Sequence, residues 1–174
     1  MRQFKRLLTV LFFLTVTSNT LYSDTPYFVD FKYILNESKA GKEAQVFLKK
    51  KLNNGIQNLK KKEKAIQEEE KNIIQQKKVI SAEEYKKKVK VLREKVSSLQ
   101  KERNNLLDTV AKQRAKAKKE LLKNLNPIMS NYMKENKIRM IVDKKSILLA
   151  DENLNLTEQI IKILNSKLKS IKLN

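Results

Sequence analysis

The chain has 174 residues, of which 39 are lysine or arginine and 19 are aspartate or glutamate, giving a net charge of +20. It contains no cysteine and no histidine, which excludes disulfide bonds and removes the commonest general base and transition-metal ligand. The two glycines, Gly41 and Gly55, lie too far apart for a Walker-type phosphate loop. We therefore expect a protein that is not an enzyme and that uses no metal and no cofactor.

Residues 1–23 have the order of charged, apolar and small residues that is typical of a secretory signal peptide. Three basic side chains among the first six residues precede ten uncharged residues, 7–16, and small and polar residues follow as far as Ser23. The apolar run is about half of the roughly 20 residues that cross a bilayer. We expect export and cleavage after Ser23, with Ser18 as the alternative position and an uncleaved membrane anchor as the alternative interpretation.

Residues 24–35 are predicted to form the N-terminal strand of a small base. The run from Tyr27 to Phe31 is short, apolar and aromatic, as in a buried strand. Once residues 1–23 are removed, 36 basic and 19 acidic residues remain, a net charge of +17. A charge of that size attracts acidic or membrane-bound partners from a distance.

Residues 36–126 are polar apart from one apolar stripe, which indicates two helices of a coiled coil. Its members are seven residues apart within each half, at Leu52, Leu59, Ile66, Ile73 and Ile80 and then at Tyr85, Leu92, Leu99 and Leu106. Few glycines and prolines interrupt it, which favours long helices. We predict an arm made of two long helices.

The break between the two helices is predicted near residues 79–82. Ser81 is followed three residues later by Glu84, the capping-box pattern that begins a helix. If the chain reverses there, the stripes face each other in an antiparallel hairpin, and Glu63 lies close to Arg103. The seam is one row of side chains wide, so we expect a pliant arm of roughly 60 Å. A rigid coiled coil that acts as a spacer is the alternative.

Residues 127–174 are predicted to complete the base with a helix end, two short strands joined by a turn within 137–150, and a final helix capped by Asn155. The two end segments total roughly 60 residues, which bury too little surface to be stable alone. We therefore expect oligomerisation through the base. The residues assigned to this oligomer base are Phe28, Val29, Phe31, Ile141, Val142 and Leu148.

The two ends of the chain resemble those of the Skp/OmpH family of periplasmic chaperones. The likeness is carried by YFVDFKYILNESKAGK at residues 27–42, by IVDKK at residues 141–145 and by LTEQII at residues 156–161. The arm adds little, because coiled coils resemble one another. The resemblance implies a mainly α fold, in which a long antiparallel hairpin stands on a small α+β base that forms a homotrimer through short β-strands.

The resemblance also implies a function, which is to hold unfolded outer-membrane proteins between the arms without ATP and to prevent their aggregation in the periplasm. We predict that lysines at the arm tip capture these clients, or bind anionic lipid or lipopolysaccharide. These lysines are Lys77, Lys78, Lys86, Lys87, Lys88 and Lys90. The alternatives are solvated lysines without a special role and a structural coiled-coil envelope protein. Nucleic acid is not an expected partner, because the arm contains only two aromatic residues.

Overall fold

The computed structural model describes residues 25–173, so the signal peptide predicted at residues 1–23 lies outside the described residues. Two strands and four helices follow in chain order: β1 Tyr27–Val29, α1 Phe31–Glu37, α2 Lys39–Gln76, α3 Ala82–Glu135, β2 Ile141–Asp143 and α4 Thr157–Lys167. Two one-turn 3-10 helices lie between β2 and α4, at Lys144–Ser146 and Glu152–Leu154. The fold is therefore mainly helical.

Helices α2 and α3 form the predicted antiparallel hairpin. At the tip, the Ser81 side chain accepts a hydrogen bond from the backbone N–H of Glu84 at 3.1 Å, which caps α3 as the sequence pattern predicts. The 38 residues of α2 span roughly 57 Å at 1.5 Å per residue. Helix α3 is longer and continues through Pro127 into the base.

Ion pairs between the helices show the register of the hairpin. Glu63 lies 3.6 Å from Arg103, which confirms the predicted pair. Two further pairs cross the seam nearby, Lys62 with Glu102 and Glu69 with Lys95, each at 2.6 Å. The Glu63–Arg103 pair thus replaces an apolar layer, and the other two pairs flank the apolar layer of Ile66 and Leu99. Because such exposed pairs contribute little free energy, the middle of the arm is weakly held.

The N-terminal strand is shorter than predicted. Only Tyr27–Val29 is a strand, and it pairs in parallel with Ile141–Asp143. Asp30 then caps α1, because its side chain accepts a hydrogen bond from the N–H of Tyr33 at 2.7 Å. Phe31, predicted as part of the strand region, is consequently the first residue of a helix.

The prediction of two strands within residues 137–150 is wrong for the second strand. Ile141–Asp143 forms β2, but residues 147–149 follow a 3-10 turn and are not a strand. The physical reason is local. The Asp143 side chain accepts a hydrogen bond from the backbone N–H of Lys145 at 3.3 Å and begins the 3-10 turn Lys144–Ser146, which stands where a hairpin turn would be needed. Residues 147–149 therefore do not pair with the outer edge of β2, and Leu148 is fully exposed.

Helix α4 connects the last part of the chain to the first. The Thr157 hydroxyl accepts a hydrogen bond from the backbone N–H of Asp30 at 2.9 Å, and the Asn165 side chain accepts one from that of Lys39 at 2.7 Å. The helix begins one residue later than its predicted cap implies, with Leu156 at the cap position. Asn155 still accepts a hydrogen bond from the N–H of Thr157, at 3.1 Å.

The core of the base is built where α1, the lower part of α3 and α4 meet. Its buried members are apolar residues from both ends of the chain and from the lower part of α3: Val29, Ile34, Ala40, Leu121, Leu125, Ile128, Leu156, Ile160, Ile161 and Leu164. Burial of this apolar surface holds the base together. The base thus depends on contacts between segments more than a hundred residues apart.

Replacing Gly41 with alanine is expected to destabilise the base by about 1–3 kcal/mol. A methyl group at Gly41 would overlap the backbone carbonyl oxygen of Leu35, and backbone atoms cannot rotate away. Gly55→Ala is the matched control in the same helix, because its methyl group would meet only the flexible side chain of Leu106. Thermal unfolding measures both. A Gly41→Ala variant as stable as Gly55→Ala would show that the α1–α2 junction is looser than described.

Candidate binding surface of the arm

The six predicted tip lysines lie together at the end of the hairpin. Lys77 and Lys78 follow the last turn of α2, and the other four lie on the first turns of α3. All are exposed apart from Lys88, which is half-buried. The described residues contain one acidic partner for this group, Glu84, which lies 3.9 Å from Lys88. The tip therefore presents a concentrated positive charge.

Two of the tip lysines also make contacts that shape the turn. The Lys77 ammonium lies 5.7 Å from the centre of the Tyr85 ring, a cation–π distance. Lys88 donates a hydrogen bond to the Gln76 side chain at 2.6 Å, which joins the end of α2 to the start of α3. These two lysines hold the tip together, whereas Lys78 and its exposed neighbours are available to a partner.

Exposed apolar side chains lie among these charges, and the sequence analysis missed them. Val79 is 82% exposed at the turn, and Ile74, Val91 and Val96 are also exposed along the upper arm. Val79, Ile74 and Val91 fall outside the seven-residue stripe and had no assigned role. Large apolar residues outside the stripe were the signal that could have identified them. Apolar groups on a charged surface provide contacts for apolar segments of a partner.

A shallow apolar groove runs along one side of the arm near the tip. Its floor is formed by seam residues of both helices, which the coiled coil covers incompletely, and Glu70 and Arg93 lie among its lining residues. The apolar lining residues are Ile66, Ile73, Ile74, Tyr85, Val89, Leu92 and Val96. An open groove of this kind suits an extended chain better than a compact small molecule.

The root of the arm is fixed by a different set of polar contacts. Lys42 forms an ion pair with Glu37 at 2.7 Å, and this hydrogen bond and charge raise the pKa of Lys42. Gln45 donates a hydrogen bond to Asn36 at 3.0 Å. Because Glu37 balances the charge of Lys42, this ion pair adds no net charge at the root, in contrast to the exposed lysines of the tip.

The residues assigned to the oligomer base fall into three groups. Phe28 and Val29 are buried within the single chain, while Phe31, Ile141 and Val142 are half-buried. Leu148 is fully exposed, and its neighbour Leu149 is 94% exposed. These two leucines give the base an apolar surface that the chain itself does not cover. The oligomer contact stays a prediction.

The fold and this surface define a class of protein, a basic helical hairpin standing on a small α+β base. The family model described as outer membrane protein (OmpH-like) matches residues 27–164. The chain therefore belongs to the OmpH-like family. A comparison with curated proteins finds no match.

A solved structure has the same architecture. It is that of a candidate outer membrane chaperone (OmpH-like) from Caulobacter crescentus, with a TM-score of 0.79 and 18% sequence identity. The superposition covers 85% of this chain and 89% of that one. At 18% identity, this similarity shows that the two proteins share a fold. Within residues 25–173, no helix is both long enough and apolar enough to span a membrane.

Proposed function

We propose that this protein is an ATP-independent holding chaperone of the periplasm, which binds unfolded outer-membrane proteins between its arms and prevents their aggregation. The observation that carries the proposal is the arm surface, where exposed lysines and exposed apolar side chains such as Val79 lie side by side. Family membership and the description of the Caulobacter protein support it. The signal peptide predicted at residues 1–23 supports the location.

The two kinds of side chain would act at different distances. The positive charge of the arms attracts an acidic unfolded chain and speeds the encounter. Apolar residues and the groove near the tip then hold short segments of that chain by contacts that are individually weak. Because no contact is strong, the client can leave when it reaches its membrane. This cycle requires no ATP.

A homotrimer would place three arms around one cavity. The exposed Leu148 and Leu149 support assembly through the base, since association would remove them from water. The tip lysines would also suit anionic lipid or lipopolysaccharide near the membrane. We propose neither a catalytic role nor a nucleic acid partner.

Client binding is expected to weaken at least about tenfold when the salt concentration rises from about 0.05 M to about 0.5 M, because salt screens exposed charges. Changing Lys78, Lys86, Lys87 and Lys90 to glutamine should weaken binding at low salt and flatten the salt dependence. The measurement is fluorescence anisotropy with a labelled, urea-denatured outer-membrane barrel. Light scattering after dilution of the same barrel reports aggregation.

The matched control changes four exposed lysines of the base and of the lower part of α3 to glutamine. This variant should retain the salt dependence of client binding. These control positions are Lys123, Lys134, Lys162 and Lys167. An affinity that does not depend on salt would contradict the electrostatic part of the proposal. If the wild-type protein leaves the barrel to aggregate, the chaperone function is wrong, and a structural role in the envelope becomes the better explanation.

A further inference from the structure

Residues 168–173 return from the base to the root of the arm. Helix α4 ends at Lys167, and the segment after it is not helical. Leu173 is only 3% exposed, although it lies near the end of the chain. It packs into a groove formed by small and apolar residues of both arm helices, Ala44, Leu48, Val110 and Ala117.

Gln113 adds a directional contact to this groove. Its side-chain Nε2 donates a hydrogen bond to the backbone carbonyl of Leu173. Its Oε1 is buried, and no donor in residues 25–173 reaches it. A carboxamide can bond both a carbonyl and an N–H of an extended backbone, and a buried acceptor without a donor is unfavourable. The tail therefore pairs with the Nε2 donor of Gln113 and leaves its Oε1 acceptor without a partner in residues 25–173.

The spacing of the tail residues is that of an extended strand. Ile171 packs against the same apolar cluster as Leu173, whereas Lys172 between them is exposed. Side chains two residues apart share one face of an extended chain. The strands of membrane β-barrels have the same alternation, with apolar residues at every second position.

We infer that this groove is a binding site for extended segments of unfolded membrane β-barrel proteins, and that residues 168–173 occupy it as an internal competitor. The inference rests on the proposed chaperone function and adds a second site, at the root of the arm. An incoming segment with apolar residues two apart would displace the tail and fill the place of Leu173. Its backbone N–H would supply the donor that Gln113 Oε1 lacks.

The test measures binding of a fluorescein-labelled synthetic peptide that is uncharged and alternates leucine with serine. Leu173→Ser is expected to raise the affinity for this peptide about tenfold, because the groove is then free in a larger fraction of molecules. Adding Gln113→Leu to that variant should abolish the gain. Lys172→Ser is the matched control, since this exposed neighbour leaves the tail in place. Equal or weaker binding by Leu173→Ser would overturn the inference.

A second measurement leaves Leu173 intact. The chain lacks cysteine, so a single Lys172→Cys substitution accepts an environment-sensitive dye. Peptide should release the tail and shift the dye emission over the concentration range in which peptide binds. Binding without any shift would overturn the inference. Suppression of barrel aggregation is assayed separately, so a chaperone whose tail stays in place is distinguished from a protein without chaperone activity.

Discussion

Replacing Leu148 and Leu149 with glutamate is expected to convert the proposed trimer to monomers. Both leucines are almost completely exposed in the single chain and follow a strand of the base. Burial of each leucine in an interface would contribute roughly 1.5–3 kcal/mol, whereas a glutamate there would bring unpaired charge into an apolar contact. Sedimentation equilibrium of the wild-type and variant proteins measures the change in mass.

Val79→Glu is the matched control for this variant. It also replaces an exposed apolar residue with an acid, but it lies at the tip of the arm, far from the base. This variant should keep the mass of the proposed trimer. A double variant at Leu148 and Leu149 that keeps the mass of a trimer would place the interface elsewhere. Unchanged helical circular dichroism would show that the monomers are folded.

Replacing Val29 with aspartate is expected to lower the free energy of unfolding by at least about 3 kcal/mol. Val29 has no exposed surface and lies in the core with Ile34, Leu125 and Ile160. A charge at this position would have neither water nor a partner. Since small domains are stable by only about 5–15 kcal/mol, a loss of this size removes a large share of the stability of the base. Urea denaturation followed by circular dichroism measures the loss.

Val46→Asp provides the comparison for the core variant. Val46 is an exposed valine on α2, so this substitution should change stability by no more than about 0.5 kcal/mol. If Val29→Asp unfolds at the same urea concentration as Val46→Asp, the base is not organised around the described core. A loss confined to Val29→Asp would support a base held by contacts between the two ends of the chain.

The arm could be predicted from the sequence alone. The seven-residue spacing of the stripe predicted two helices, and Ser81 marked the start of the second because a capping pattern is local. The pairing of Glu63 with Arg103 also followed from the sequence. Once a hairpin turn is placed, the register of two regular helices fixes every pair along them.

The strand pairing and packing of the base, in contrast, could not be predicted from the sequence. Strands of three residues are too short to show a period, so the sequence could not tell that residues 27–29 pair in parallel with residues 141–143 while residues 147–149 remain unpaired. The docking of Leu173 at the root of the arm was equally hidden. A contact between residues more than a hundred positions apart leaves no local pattern in the sequence. Such contacts are determined by the packing of the whole chain.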